Sequence, residues 1–405
     1  LKNELVPSAG SGRGIGGFLN LRQVLVVLQV AASLVSLIAA GLFLRDLRHA
    51  QATDPGFETR GVLVMNFNLG REGYTPERGG VFFNQIVERV EALPGVRGAA
   101  IAQVPPLAGG FSRSVFPEGA DTTTRDRILV QVNTVSPGYF RTIGIPLVNG
   151  RDFTRADLVT TPKVVVINQT MAEQFWKGQD PIGKRFKFFG DDDYSTVVGV
   201  AKDSKYNGVV EDPIPFIYQP LGQNYTPAAT LHVRSAGNAA SLAASVRREV
   251  QQLDPTLSLF DVRTLEQQVG ESLQPQQMNV VLLTVFGVLA LLLASIGLYG
   301  VASYSVSQRT REIGVRMALG ARPSSVLAMV LGHGMILVAV GLAVGLVVAY
   351  VVSGFAKALF AGVSPHDPAT FLLTAAGLGA IALLATYIPA RRATRIDPLI
   401  ALRMD

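Results

Sequence analysis

The sequence predicts an α-helical membrane protein with four transmembrane helices and a large extracytoplasmic α/β domain, built from β-α-β units with a strand-rich insertion. Three observations carry that expectation. Four runs carry no formal charge, at residues 24–44, 275–308, 323–356 and 368–390. The composition is 48% hydrophobic and only 16% charged, with mean hydropathy +0.32, which is high for a soluble chain. Between the first and second runs, strand-like and helix-like periodicities alternate. A helix rises ~1.5 Å per residue, so about 20 residues cross a ~30 Å hydrocarbon core, and each run is long enough.

Taken in order, residues 1–22 begin with Leu and contain "SAGSGRGIGG", a flexible-linker composition that suggests a piece continuing from something upstream. The first helix, at 23–44, is too long for the apolar core of a signal peptide. It is followed by Arg45-Asp46-Leu47-Arg48 where a cleavage site would need small residues, so it reads as a retained anchor. The extracytoplasmic domain follows at 45–277. Helix two is assigned to 278–306, a coupling segment to 307–325, helix three to 326–355, a short external loop to 356–367, helix four to 368–390 and a tail to 391–405.

Charge fixes the orientation. Residues 45–277 hold 24 basic and 25 acidic side chains, and the rest of the chain holds 12 basic and five acidic. The whole positive surplus therefore flanks the apolar runs, which places both termini and the Arg-rich loop in the cytoplasm. A pI near 9.6 would suit nucleic acid, but this distribution assigns the positive charge to the lipid bilayer and leaves nucleic acid out.

Within 45–277, residues 62–69 alternate as a strand, 76–93 carry helical spacing through Val81, Phe82, Ile86, Val90 and Leu93, and 96–104 form another strand. Strand, helix, strand and helix recur at 229–235, 239–253, 257–262 and 264–273. Two β-α-β units at opposite ends imply one α/β domain interrupted by an insertion. That insertion, about 146–223, holds short strands at 163–167, 185–189, 196–200 and 216–219.

No chemistry-bearing constellation emerges. The absence of cysteine excludes disulfides, thiolate catalysis and Cys-based zinc sites. "GQDPIGKR" at 178–185 fits the spacing of a phosphate-binding loop, but Arg185 stands where Ser or Thr must hold magnesium, and the segment follows a helical stretch; a turn is the better reading. Asp191-Asp192-Asp193 lacks the spaced ligands of a calcium loop. Asn168-Gln-Thr and Asn224-Tyr-Thr are sequons of a kind that arises by chance. The expectation is a chain that is not an enzyme and binds no metal and no cofactor. Inside the spans the only ionisable group is His333, read as interfacial packing; Gly297, Gly300, Gly341 and Gly345 read as close helix contacts.

One charged segment separates the second and third runs: "SQRTREIGVRMALGARPSS", 307–325. On a helix Glu312 pairs with Arg309 and Arg316, and Ile313 and Met317 make an apolar strip beside them. Gly320 suits a helix stop and Pro323 a helix start. The bland reading is a basic loop that only fixes topology, yet topology requires neither Glu312 nor Gly314 nor the Gly320-Ala321 break.

This segment, together with the tail "PARRATRIDPLIALR" (389–403), resembles the MacB/FtsX-type ABC transporter permeases. "SPGYFRTIGIPLVNGRDF", "NQTMAEQFW", "DPIGKRF" and "VVGVAKDSKYNG" between residues 136 and 208 are similar to that family's extracytoplasmic domain. The resemblance runs from about Leu21 to the end. It implies a permease with four spans that works with a cytoplasmic ABC ATPase, which carries ATP and magnesium, and with a second permease unit, either a tandem half or a homodimer partner. It implies a multi-pass protein of the bacterial plasma (inner) membrane. The non-Met start and linker point to the C-terminal half of a duplicated permease. The ATPase-coupling residues it implies are Arg309, Arg311, Glu312, Ile313, Gly314, Arg316, Met317 and Gly320. The alternative is a membrane-anchored sensor or scaffold whose outer domain binds a peptide or cell-wall enzyme without transport.

Overall fold

The structure is a computed structural model that describes residues 21–119, 128–308, 315, 323–355 and 366–393. The chain divides into two compact units, one formed by Leu1–Arg48 with Gln276–Asp405 and the other by His49–Pro275.

The first unit is a bundle of four long helices: α1 (Leu21–Ala52), α7 (Gln274–Gln308), α8 (Pro323–Phe355) and α9 (Pro368–Ala393). At 32, 35, 33 and 26 residues each exceeds the ~30 Å of a hydrocarbon core. α1 buries a seam of Val26, Val30, Leu34, Ile38 and Leu42, spaced four apart. Against that seam lie Ala294 and Leu298 of α7, Val338 and Ala349 of α8, and Leu378 and Ala382 of α9. Glycines set the close approaches. A Cβ on Gly341 would meet Val30 at 2.8 Å, one on Gly345 would meet Leu34 at 3.0 Å, and one on Gly297 would meet Val26 at 2.9 Å. Gly300 departs from the sequence expectation: among the described residues nothing lies within 4 Å of its Cβ direction. It points away from the seam. Ser33 Oγ donates to the Gly287 carbonyl at 3.0 Å, a buried bond between α1 and α7, satisfying a hydroxyl that hydrocarbon would penalise.

The second unit is built on a single sheet. Its framework strands are β1 (Val62–Asn68), β2 (Val96–Ala102), β10 (Ala228–Ser235) and β11 (Phe260–Thr264). They lie in the order β11-β1-β10-β2, all antiparallel neighbours, with Met65 opposite Leu231 and Leu231 opposite Ile101. α2 (Pro76–Glu91) links β1 to β2, and α5 (Ala243–Leu253) links β10 to β11. Each helix thus joins two parallel strands with a third between them, the split β-α-β arrangement of ferredoxin-like folds. Thr75 accepts from Arg78 N and Pro76 occupies the first turn of α2, as a helix start requires. Phe82, Phe83, Ile86 and Val90 of α2 and Val246 and Val250 of α5 bury against Leu63, Met65, Phe67, Leu231 and Val233 of the sheet.

Everything between β2 and β10 is inserted. It comprises β3 (Phe111–Pro117), β4 (Ile128–Val135), α3 (Tyr139–Ile143), β5 (Leu147–Gly150), β6 (Val164–Asn168), α4 (Gln169–Phe175), β7 (Arg185–Phe188), β8 (Tyr194–Ala201) and β9 (Phe216–Pro220). β4 meets β2 at Ala102 and Val135, so the sheet runs on without a break. β3 and β4 are absent from the sequence expectation, and they pair with β7 and β9. The strand-rich part therefore starts well before residue 146. A second core of Val115, Val132, Ile167, Phe186, Phe188 and Ile217 holds it. Beside it Tyr139, Tyr206 and Tyr218 are fully buried. The Tyr139 and Tyr206 hydroxyls share a hydrogen bond of 2.8 Å, and Tyr206 stacks on Phe216 at 4.1 Å. Burial holds all three phenols well above their ordinary range.

α6 (Leu265–Ser272) follows β11, opened by a reciprocal capping box between Thr264 and Gln267. A single residue, Leu273, in helical backbone conformation, separates it from α7.

Candidate functional site

The predicted coupling residues Arg309, Arg311, Glu312, Ile313, Gly314, Arg316, Met317 and Gly320 lie outside the described residues. Their flanks are described. α7 runs to Gln308, whose Nε2 donates to the Tyr304 hydroxyl at 2.9 Å. Val315 is helical and exposed, and α8 begins at Pro323. The same end of α7 carries one cation–π contact and one hydrogen bond: Arg22 lies over the Tyr304 ring at 5.3 Å, and Arg392 Nη1 donates to the Tyr299 hydroxyl at 2.9 Å. Guanidinium and phenol so placed belong at a membrane–water interface. His333 falls within α8, and its side chain lies outside those described.

In the second unit a cleft of about 260 Å³ opens between α2 and the insertion. Gly80, Phe83, Asn84, Val87 and Glu91, a helical repeat along one face of α2, form one wall. Ser136, Pro137, Gly138 and Arg141, then Thr154, Arg155, Asp157 and Leu158, then Pro220, Leu221 and Gly222 form the others. Buried Phe83 and Leu221 make its apolar floor. Arg155 bridges the walls through Glu88 at 2.6 Å. Arg151 grips Asp157 with two bonds of 2.9 Å, and Asp157 also accepts from Thr154 N at 2.7 Å. The Arg151 hydrogen bonds hold the Asp157 carboxyl below its usual range despite partial burial. Burial pushes neighbouring Asp152 up, although it accepts from Phe153 N and Gly138 N. The cleft is a binding shape with structural ion pairs: the Thr154 hydroxyl donates to Asp157 at 3.1 Å, and Arg151 holds the same carboxylate. Its residues come from four separated stretches, none distinctive alone, so no sequence motif marks it.

The motifs singled out in the sequence take structural places. Gly183, at φ 80°, donates to the Val197 carbonyl at 2.9 Å and turns the chain into β7. A strand follows "GQDPIGKR" where a phosphate-binding loop needs a helix. Lys184 Nζ donates to Gln179 at 3.0 Å, and Arg185 pairs with Glu118. Asp191 pairs with Arg113 at 2.9 Å, and Lys163 stands 3.5 Å from Asp193. Among the described residues, no group of three or more His, Cys, Asp or Glu is placed to hold a metal. Asn168 is buried and caps α4, accepting from Met171 N at 3.0 Å and Phe216 N at 2.9 Å. It is not an accessible sequon. Asn224 donates to the Pro220 carbonyl at 3.3 Å.

Comparison with known proteins places these features together. Residues 24–253 match the MacB-like periplasmic core domain, and residues 284–398 match the FtsX-like permease C-terminal domain. A probable export ATP-binding/permease protein of Pseudomonas fluorescens is 28% identical over 285 residues, covering 68% of this chain and 43% of that protein. The macrolide export ATP-binding/permease protein MacB of Agrobacterium fabrum is 28% identical over 311 residues, covering 72% of this chain and 47% of that one. The chain spans about half the length of these curated relatives. The crystal structure of the periplasmic region of MacB from Actinobacillus actinomycetemcomitans aligns with TM-score 0.37 and 14% identity over 52% of this chain and 92% of that one. With its four membrane-length helices, its strand-rich outer domain and a core-domain match over more than half its length, the chain is a multi-pass member of the MacB/FtsX-type family of ABC transporter permeases.

Proposed function

We propose that this chain is the membrane-spanning subunit of an ABC system, transmitting ATP-driven motion of a partner ATPase to its extracytoplasmic domain for export or release of a substrate. One observation carries the reading. α7 is unbroken over 35 residues, begins one residue after α6 and ends where the Arg-rich segment begins. A ~52 Å helix of this kind is stiff enough to carry displacement along its axis. Through α6 it joins the segment proposed to dock on the ATPase to β11, the last strand of the outer domain. The helix bundle supports the same reading, because its packing rests on glycine contacts that allow no gradual deformation, only movement of whole helices.

In this proposal ATP and magnesium act on the ATPase, and this chain carries no hydrolytic centre. The chain sits in the bacterial plasma membrane with both termini and the segment at 307–325 in the cytoplasm, and a second permease unit completes the assembly. The export roles named for the Pseudomonas fluorescens and Agrobacterium fabrum relatives support a transported substrate. The cleft between α2 and the insertion is the part of the outer domain whose walls a transmitted motion would change.

The test is co-purification. The chain is tagged, extracted from its native membrane and analysed by mass spectrometry. An ABC ATPase is expected at stoichiometric level, with ATP turnover that the chain alone lacks. A preparation that retains cell-wall enzymes or peptides and no ATPase would make the chain an anchored scaffold instead.

A further inference from the structure

We propose that the cleft between α2 and the insertion receives the C-terminal end of a peptide whose last residue is apolar. The proposal deepens the permease reading by naming what the outer domain takes up, and it rests on the fold of that domain alone. The α2 wall of the cleft runs from Gly80 to Glu91, about 16 Å of helix. A cavity of about 260 Å³ drawn out along that wall is long and narrow. An extended chain of about four or five residues spans the same length.

Several polar groups of the walls are already engaged. Asp157 is held by Arg151 and Thr154, Arg155 by Glu88, and Ser136 Oγ accepts from Ile101 N at 2.8 Å. Arg141 and Asn84 keep their capacity: among the described residues neither makes a hydrogen bond or an ion pair. Arg141 Nη2 stands 3.8 Å from the Cβ position of Gly138, so the guanidinium lies against that wall of the cleft. Asp152 acts on Arg141 through space and is itself held by Gly138 N and Phe153 N. The stretch 120–127, outside the described residues, joins β4 at Ile128, ~26 Å along the strand from Ser136. A guanidinium fork matches a carboxylate with two parallel bonds. An amide side chain, donor and acceptor together, matches a peptide group. Asp152 and Glu91 offset the positive charge, so a single carboxylate is accepted and a phosphate dianion is opposed. Phe83, Val87, Leu158 and Leu221 supply apolar surface for the terminal side chain.

The experiment uses the full chain in lipid nanodiscs, without ATPase or ATP, and isothermal titration calorimetry. The probes are N-acetyl-Ala-Ala-Leu with a free carboxylate, the same peptide amidated at its C-terminus, and hexanoate. The free acid is expected to bind, and amidation to weaken it about tenfold, the effect of one charge-assisted hydrogen bond. Arg141→Gln is expected to weaken the free acid about tenfold and to leave the amidated peptide unchanged. Gly80→Leu places a side chain in the open space beside Gly80, where nothing lies within 4 Å, and is expected to abolish binding of both peptides. Trp176 fluorescence reports that each variant is folded. No binding of the free acid, equal binding of acid and amide, an unchanged affinity in folded Arg141→Gln, or full binding by folded Gly80→Leu would overturn the proposal. Hexanoate binding as tightly as the peptide would overturn it too, by making the cleft a site for free carboxylic acids. None of these outcomes touches co-purification with an ATPase, so the two readings fall separately.

Discussion

Arg45 and Asp367, 322 residues apart in sequence, form an ion pair that ties α1 to the start of α9. Asp367 also accepts from Thr370 N at 2.9 Å and from Thr370 Oγ1 at 2.7 Å, capping α9. Beside the pair, Gly41 brings α1 to within contact of Thr370, where a Cβ would meet the Thr370 methyl at 2.8 Å. One carboxylate thus starts a helix and fastens it to its neighbour. Its two roles are separable. Asp367→Ala, which removes the cap as well as the pair, is expected to lower the thermal midpoint of the bundle more than Arg45→Gln does, because the half-exposed arginine contributes little by itself. The double variant is expected to match Asp367→Ala alone. Additive losses would mean that the two side chains act independently.

The glycine contacts make a sharper prediction. Gly341→Ala drives a methyl into Val30 and is expected to destabilise the bundle by about 1–3 kcal/mol, the usual cost of overpacking. Gly300→Ala meets open space and is expected to leave stability unchanged. Thermal unfolding in detergent distinguishes them, and equal midpoints would remove the account of α1–α8 packing.

His232 is fully buried on β10, with Nδ1 3.2 Å from the Thr230 carbonyl and its ring edge-on to Tyr139. Burial pushes its pKa from 6.5 down to about 4. Because the folded value lies below the unfolded one, the neutral ring's stabilising contribution is complete above pH 6.5 and is lost as pH falls toward 4. The loss approaches ~3 kcal/mol. Trp176 is the only tryptophan and lies in the outer unit, so its fluorescence isolates that unit's acid unfolding. His232→Gln is expected to flatten the decline between pH 6.5 and 4. An unchanged profile would place the acid sensitivity on other groups.

Asn168 holds α4 and β9 at once, donating to the Ile214 carbonyl at 2.8 Å in addition to its two acceptor bonds. Asn168→Ala removes a cap and leaves buried backbone groups unpaired, at an expected cost of about 2–3 kcal/mol in chemical unfolding of the outer unit. A loss below about 0.5 kcal/mol would mean the backbone finds other partners.

What the sequence disclosed follows from the strength of each signal. Uncharged runs of twenty or more residues admit few readings, so the four spans were plain. The flanking strands and helices of the ferredoxin-like half were legible because Phe82, Ile86 and Val90 repeat at helical spacing and "VLVMNFNL" alternates. β3 was missed because "FSRSVFP" carries Arg and two Ser, and its neighbour β4 mixes Gln and Asn into its run; both are set by pairing with distant strands instead of local pattern. Gly300 was misjudged because spacing alone cannot tell which face of a helix meets a neighbour. The cleft is invisible in the sequence for a related reason, since it depends on which surfaces the fold brings together.

The central claim is that the segment between α7 and α8 couples this chain to an ATPase. Glu312→Lys tests it most directly. A loop that only fixes topology should tolerate or welcome added positive charge. A docking helix loses its Arg309–Glu312–Arg316 pairing and presents a like charge to its partner, where an opposed interfacial charge can cost ~2–5 kcal/mol. The measurement is co-purification of the ABC ATPase with the variant, with membrane level and labelling of Ser112→Cys by an impermeant maleimide as controls. The account predicts normal level, normal labelling from outside the cell and loss of the ATPase. Full retention of the ATPase by Glu312→Lys would contradict it.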